Sequence, residues 1–307
     1  MQLIRVIDKF FFKKEDCLTI GLVRILTAAV ILLALINDLP FAADYYSDNG
    51  VISGRTDILR PEYRFSILDK LGSPEFVYFF YIILVISITM LLVGKHTRSS
   101  AIVSFILLSS FHEKNVFILD SAETLMRLMV FYLALAPSSK YFSLDAVKKR
   151  RSLTPEAFKR WQQGYIWPRR LMQIQLAIVY LFAFLPKTGI TWKSGTAIYY
   201  FLANSHFARF SFDFLGSFLW LTIIATYATL LIELLFPIIV WFKTTRKYMV
   251  IAGISLNLGI LTLSNITFFS LIMIVAHLAF IEPEIVNKAL IKIKGLKQQL
   301  NKKLKEK

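Results

Sequence analysis

The chain has 307 residues, of which 56% are hydrophobic and 15% aromatic, while only 18% are charged. Soluble domains carry about 25% charged residues, so this composition, with a mean hydropathy of +0.58, excludes an ordinary soluble globule and points to a polytopic helical membrane protein. The net charge of +16 could suggest nucleic acid, but the cations lie between and after the apolar runs, where they suit cytoplasmic loops beside anionic lipid and leave no nucleic-acid partner to expect.

Taken in order, residues 1–16 read as a basic amphipathic lead-in at the membrane surface, with Ile4, Ile7, Phe10, Phe11 and Phe12 set against Arg5, Lys9, Lys13 and Lys14. No cleavable signal peptide is expected there, because no small-residue cleavage site precedes the first apolar run. Eight such runs follow, at 17–39, 76–93, 99–112, 122–135, 171–185, 215–242, 248–263 and 266–281. The third and fourth fall short of the ~20 residues a straight crossing needs. They read as a tilted pair, a re-entrant hairpin, or helices extended into their flanks. The polar 40–75 segment has its clearest turn at Asp48-Asn49-Gly50. The basic 137–170 loop holds a short helix near 155–161 whose N-cap is Thr154. Residues 187–214 are expected to include an interfacial helix, and the sixth run is long enough to tilt or kink at Pro237. With no internal repeat and no flexible linker, the chain reads as one transmembrane domain (17–282) between the lead-in and a lysine-rich tail (283–307).

Orientation follows from counting cations. With eight crossings and both termini cytoplasmic, about 26 Lys and Arg fall on the inner side and about 8 on the outer. The acidic 40–75 loop and Lys187 then share the extracytoplasmic face. An integral protein of a bacterial cytoplasmic membrane is the expectation.

The single cysteine, Cys17, excludes an intramolecular disulfide, and the four histidines show no ligand spacing, so no metal site is expected. Ionisable groups inside spans carry the functional interest. Glu123 and Arg127 stand four apart in the order that favours an intrahelical pair. Arg24 and Glu233 are candidates for an intramembrane charge pair between the first and sixth spans, with a lipid phosphate as the other partner open to Arg24. Tyr180, Tyr199, Tyr200 and Trp192 suit either an interfacial belt or a ligand box.

The stretch from Arg170 to Phe210 draws most attention. Its apolar helix ends in Pro186 and Lys187, then come Trp192, Lys193, Ser194, Gly195 and an aromatic run. A lysine directly after an apolar helix is commonly a snorkelling anchor in the headgroups. Held instead at the mouth of an apolar pocket, Lys187 would lose proton affinity and could serve as a base. Both readings stand on spacing alone.

These residues resemble the helix end of the vitamin K-dependent gamma-glutamyl carboxylases and their horizontally transferred transmembrane (HTTM) relatives, with Gln173, Gln175, Tyr180, Lys187, Trp192 and Gly195 in the matching positions. Further pieces resemble the family in order: Tyr45, Tyr46, Asp48 and Gly50; Arg64, Phe65, Leu68 and Asp69; Gly94, Arg98 and Ser99; Tyr141-Phe142-Ser143-Leu144-Asp145; and Glu233 with Phe236-Pro237. The resemblance covers about residues 18–280. It implies an all-α bundle in which Lys187 deprotonates a reduced quinone as cofactor. Three departures limit it. Asp120-Ser121-Ala122-Glu123 stands where the carboxylases have a histidine ahead of the fourth span. Asn257 replaces the usual histidine of the seventh, and only a short tail stands where the carboxylases carry a large lumenal domain.

The expected function is therefore a membrane protein resembling the carboxylase core. It would bind an apolar or quinone-like ligand, with Lys187 as catalytic base and Trp192, Gly195, Glu123, Arg127, Asn257 and Tyr180 around the ligand. The alternatives are a non-enzymatic partner in maturation of, or immunity to, a small secreted peptide, as in the sporulation-delaying toxin systems, and a lipid-binding scaffold.

Overall fold

The computed structural model describes residues 2–51, 66–115, 117–118 and 120–305. Arg64 and Phe65, two of the residues that carry the family resemblance, lie outside the described residues.

The architecture is all-α but for one small ribbon. Helix α1 (Gln2–Phe11) leads to strand β1 (Lys14–Asp16), then α2 (Leu18–Asp38) and the short α3 (Ala42–Tyr46). Next come α4 (Pro74–Val93), α5 (Thr97–Lys114) and α6 (Ser121–Leu135). The basic loop folds into α7 (Leu144–Arg151), α8 (Pro155–Trp161) and β2 (Gln163–Tyr165). Helix α9 (Trp167–Phe184) is followed by α10 (Ile190–Lys193) and α11 (Ala197–Ala203), and α12 (Leu219–Ile239), α13 (Lys243–Leu263), α14 (Thr267–His277) and α15 (Pro283–Lys305) complete the chain.

Local chemistry explains the boundaries. Thr154 caps α8 through Ala157 N–H, as its place before Pro155 predicts. Ser143 caps α7, a helix that its four basic residues conceal from any apolar periodicity. The third run extends from 99–112 to Thr97–Lys114. Asp145 accepts from His96 N–H, Thr97 N–H and the Thr97 hydroxyl, so the helix starts in its polar flank. The fifth begins at Trp167 rather than 171, with Pro168 in its first turn. The seventh begins at Lys243 rather than 248, and Arg246 there donates to the Val240 and Trp241 carbonyls at the end of α12. The segment after α9 includes two short helices, α10 and α11. Pro237 is accommodated inside α12.

Both chain ends gather at one end of the bundle. Cys17 N–H donates to Gln162 O, Ile166 N–H to Lys13 O, and the Thr19 hydroxyl to Ile281 O. Strands β1 and β2 pair antiparallel there, with Lys14 opposite Tyr165. At the opposite, distal end Lys114 pairs with Asp48, Asn115 donates to Tyr45 O, and Arg209 donates to Ser264 O. Helix α14 is central, packing on α2, α6, α9 and α13, and Ile272, Met273, Ala276 and His277 are fully or almost fully buried.

Three segments are long and apolar enough to cross a membrane, namely Leu18–Tyr46, Pro74–Val93 and Phe214–Ile239. A fourth is reached if Thr267–Phe280 and Pro283–Ile293, bent by 110°, count as one broken span. The eight expected crossings are not all met by this criterion, for a physical reason. Helix α5 carries Arg98, Glu113 and Lys114, α6 has only 15 residues, and α9 opens on Arg169 and Arg170.

Candidate functional site

Pro186 and Lys187 terminate α9 at the distal end, where Leu185 N–H and Lys187 N–H still reach back to Leu181 and Phe184 carbonyls. The Lys187 ammonium turns inward and forms an ion pair with Glu233 Oε1 of α12. Its side chain is 19% exposed and that of Glu233 8%. The same ammonium sits 4.8 Å from the centre of the Trp192 ring, close enough for a cation–π contact. Lys187 is thus held by an acid and an aromatic face rather than extended into headgroups. Glu233 Oε2 is buried and has no hydrogen-bond partner among the described residues.

One turn further along α12, Phe236 stacks on Tyr180 with ring centres 4.2 Å apart. Tyr180 is the centre of a buried polar chain that also uses Asn257 of α13 and His277 of α14. Asn257 Nδ2 donates to the Tyr180 oxygen at 3.2 Å and to Gly253 O at 2.8 Å. The Tyr180 hydroxyl and His277 Nε2 are 2.9 Å apart, and His277 Nδ1 lies 2.7 Å from Met273 O. A carbonyl can only accept, so the proton belongs on Nδ1 and Nε2 accepts from Tyr180. The imidazole is then neutral, and every donor in the chain points the same way. Asn257 Oδ1 is left buried and unpartnered.

Gly253 makes this meeting possible. A Cβ there would collide with His277 Nε2 and stand 2.8 Å from the Tyr180 hydroxyl. Gly195 shapes the chain before α11. Its φ of +79° and the 2.9 Å from an added Cβ to Ile223 Cγ2 mark a tight turn laid against α12.

Two expected pairings are replaced by others. Arg24 does not meet Glu233. It is fully buried and donates to Phe142 O at 2.6 Å, beneath Gly94, whose φ is +70°. Helix α2 presents Arg24 to the turn before α7, while Glu233 lies on the face of α12 turned to α9. Glu123 and Arg127 do not form an intrahelical pair either. Glu123 closes a capping box with Asp120 at the start of α6, and Arg127 bonds Glu113 of α5 at 2.7 Å. Neither joins Lys187. Near α6, α9 and α14 there is instead a hollow of about 500 Å³ lined by Asp120, Thr124, Gln175, Val179, Phe182 and Phe269, among others. Lys187 is not part of that lining.

Of the sequence-derived candidates, the fold brings together Lys187, Trp192, Glu233, Tyr180 and Asn257, and it adds His277 and Gly253. His277 comes from the last apolar run, so no local spacing linked it to Asn257. Among the described residues no group of three or more His, Cys, Asp or Glu is placed to hold a metal ion.

A family model described as the HTTM domain matches residues 12–284, most of the chain. No curated protein and no solved structure matches it.

Proposed function

The chain belongs to the HTTM family, and on that premise we propose that this integral membrane protein takes up a quinone-like or other apolar, hydroxyl-bearing ligand beside Lys187 and Glu233. In this reading the bundle crosses a bacterial cytoplasmic membrane eight times. Both termini face the cytoplasm, and the ligand site opens toward the outer leaflet.

One observation carries the reading: a buried carboxylate oxygen, Glu233 Oε2, has no partner next to an ammonium that holds its twin. A buried carboxylate with a free acceptor is costly unless a donor arrives, and a ligand hydroxyl is such a donor. A reduced quinone, when bound, supplies an acidic hydroxyl and an electron-rich ring. Glu233 Oε2 then accepts the hydroxyl hydrogen bond, and Lys187 balances the negative charge that grows on the ligand oxygen. The proton leaving that hydroxyl is taken up by the Lys187–Glu233 pair, with Lys187 as the candidate base. Trp192 covers one side of the ammonium.

The test is quenching of tryptophan fluorescence by a short-chain benzoquinol kept reduced under argon, which carries the donor hydroxyl, read on the wild type and on Trp192→Phe in detergent. The expected result is saturable quenching that loses its saturable part in Trp192→Phe and weakens by roughly tenfold in Glu233→Gln. Linear, unsaturable quenching in all three proteins would sink the ligand and leave the peptide-partner and lipid-scaffold alternatives.

A further inference from the structure

At the other end of the bundle, where the chain termini gather, a cavity of about 490 Å³ is walled by four separate segments. Strand β1 gives Lys14, the start of α5 gives Thr97 and Arg98, the turn after α6 gives residues 136–140, and β2 with the start of α9 gives Gln163 to Pro168. Its lining includes three cations, Lys14, Arg98 and Lys140, and no carboxylate.

The neighbouring acids are occupied elsewhere. Glu15 is bound to Arg169, Asp16 takes the Tyr141 hydroxyl and Leu18 N–H, and Asp145 takes the donors of His96 and Thr97. None of the three cations pairs with an acid among the described residues. Two of them are nevertheless positioned. Lys140 Nζ donates to Gln163 O at 2.6 Å and lies 5.7 Å from the Trp161 ring centre, and Lys14 lies 5.3 Å from that of Tyr165. Among the described residues the exposed Arg98 side chain has no hydrogen bond or ion pair, so its guanidinium fork is open to a ligand. Like charges converging on a hollow without a counter-charge repel one another, and an anion relieves that repulsion.

We propose that this cavity binds a phosphate group through Arg98, Lys140 and Lys14. An arginine fork with two lysines matches the several oxygens and the charge of a phosphate mono- or diester. The lining also holds the apolar Leu135, Pro137, Trp167 and Pro168. These side chains suit the glycerol and upper acyl region of an anionic phospholipid, and tryptophan is enriched at that depth of a membrane. Free phosphate shares the headgroup's chemistry without needing them. The site is independent of the Lys187–Glu233 pair and stands or falls without it.

The experiment is native mass spectrometry of the delipidated full-length protein, titrated in separate arms with phosphatidylglycerol, phosphatidylcholine and inorganic phosphate. Wild type is compared with Arg98→Glu and with Arg98→Gln/Lys140→Gln. Arg98 is exposed and unbonded, so its reversal leaves the fold intact even where loss of the Lys140–Gln163 bond disturbs the double variant. A lipid headgroup predicts phosphatidylglycerol adducts at least roughly tenfold weaker in Arg98→Glu, with phosphatidylcholine adducts few and unchanged. A soluble ligand predicts that the inorganic phosphate adduct, and not the lipid adduct, is lost in that variant. Equal adducts of every probe on wild type and Arg98→Glu overturn the proposal.

Discussion

The Tyr180 hydroxyl meets His277 Nε2 at 2.9 Å in the middle of the bundle, joining α9 to α14 through side chains that are 2% and 0% exposed. Because Nδ1 is engaged by Met273 O, His277 has a single free acceptor, and Tyr180 fills it. Tyr180→Phe removes the donor and leaves both Nε2 and one Asn257 N–H short of a partner. Stability is expected to fall by about 1–3 kcal/mol, read as a lower unfolding midpoint in detergent. A midpoint equal to wild type would mean that water replaces the bond.

Gly253→Ala should be more disruptive than an ordinary glycine change in a helix. Helix propensity alone favours alanine by about 1 kcal/mol, but the new methyl would occupy the line between Tyr180 and His277. Overpacking of this kind costs about 1–3 kcal/mol, so a net loss is expected. A gain in thermal stability would show that the helices slide apart freely.

The Lys187–Glu233 pair predicts an asymmetry between single and double variants. Lys187→Met leaves a buried carboxylate uncompensated and Glu233→Leu leaves an ammonium, each costing up to about 3 kcal/mol. Lys187→Met/Glu233→Leu should recover much of either loss. Additive losses in a double-mutant cycle would show that the two charges do not interact.

Asp145 predicts an acid sensitivity at the terminal end. Burial raises its carboxyl pKa, but the Thr97 backbone and hydroxyl donors and the His96 N–H outweigh burial and hold it below the usual carboxylate range. A depressed folded pKa gives stability that is present above the unfolded value, about 3.9, and is lost as pH falls through the folded one. Wild type should therefore lose stability below about pH 4, and Asp145→Asn should be less stable at neutral pH with a shallower acid decline. Parallel pH profiles would refute the role.

Much of this fold could be read from residue order, and the failures share a cause. The Thr154 cap and the Pro186 stop are local signals, and the structure has both. The Asp120–Glu123 capping box was also legible, as an acid at the N-cap with an acid three residues on. An i, i+4 pairing of Glu123 with Arg127 looks equally good on a helical wheel, so residue order does not choose between them. Arg24 and Glu233 show the harder limit. Within an apolar helix a charge has no neighbours in sequence that tell which face it occupies, and only packing sends Arg24 to Phe142 O and Glu233 to Lys187. The β1–β2 ribbon and the Tyr180–Asn257–His277 chain depend on segments far apart along the polypeptide, where periodicity carries no information.

Helix α6 rises only about 22 Å over its 15 residues, against an apolar slab of about 30 Å. It packs on α2, α5, α9 and α14, and the hollow lined by Asp120 and Thr124 lies at its N-terminal end. Voltage across a membrane drops over its insulating thickness, and a recess reaching part-way in concentrates that drop over the shorter remainder. In the eight-crossing topology proposed above, a proton or anion moving along this recess would cross a steeper electric field than one in the neighbouring bilayer.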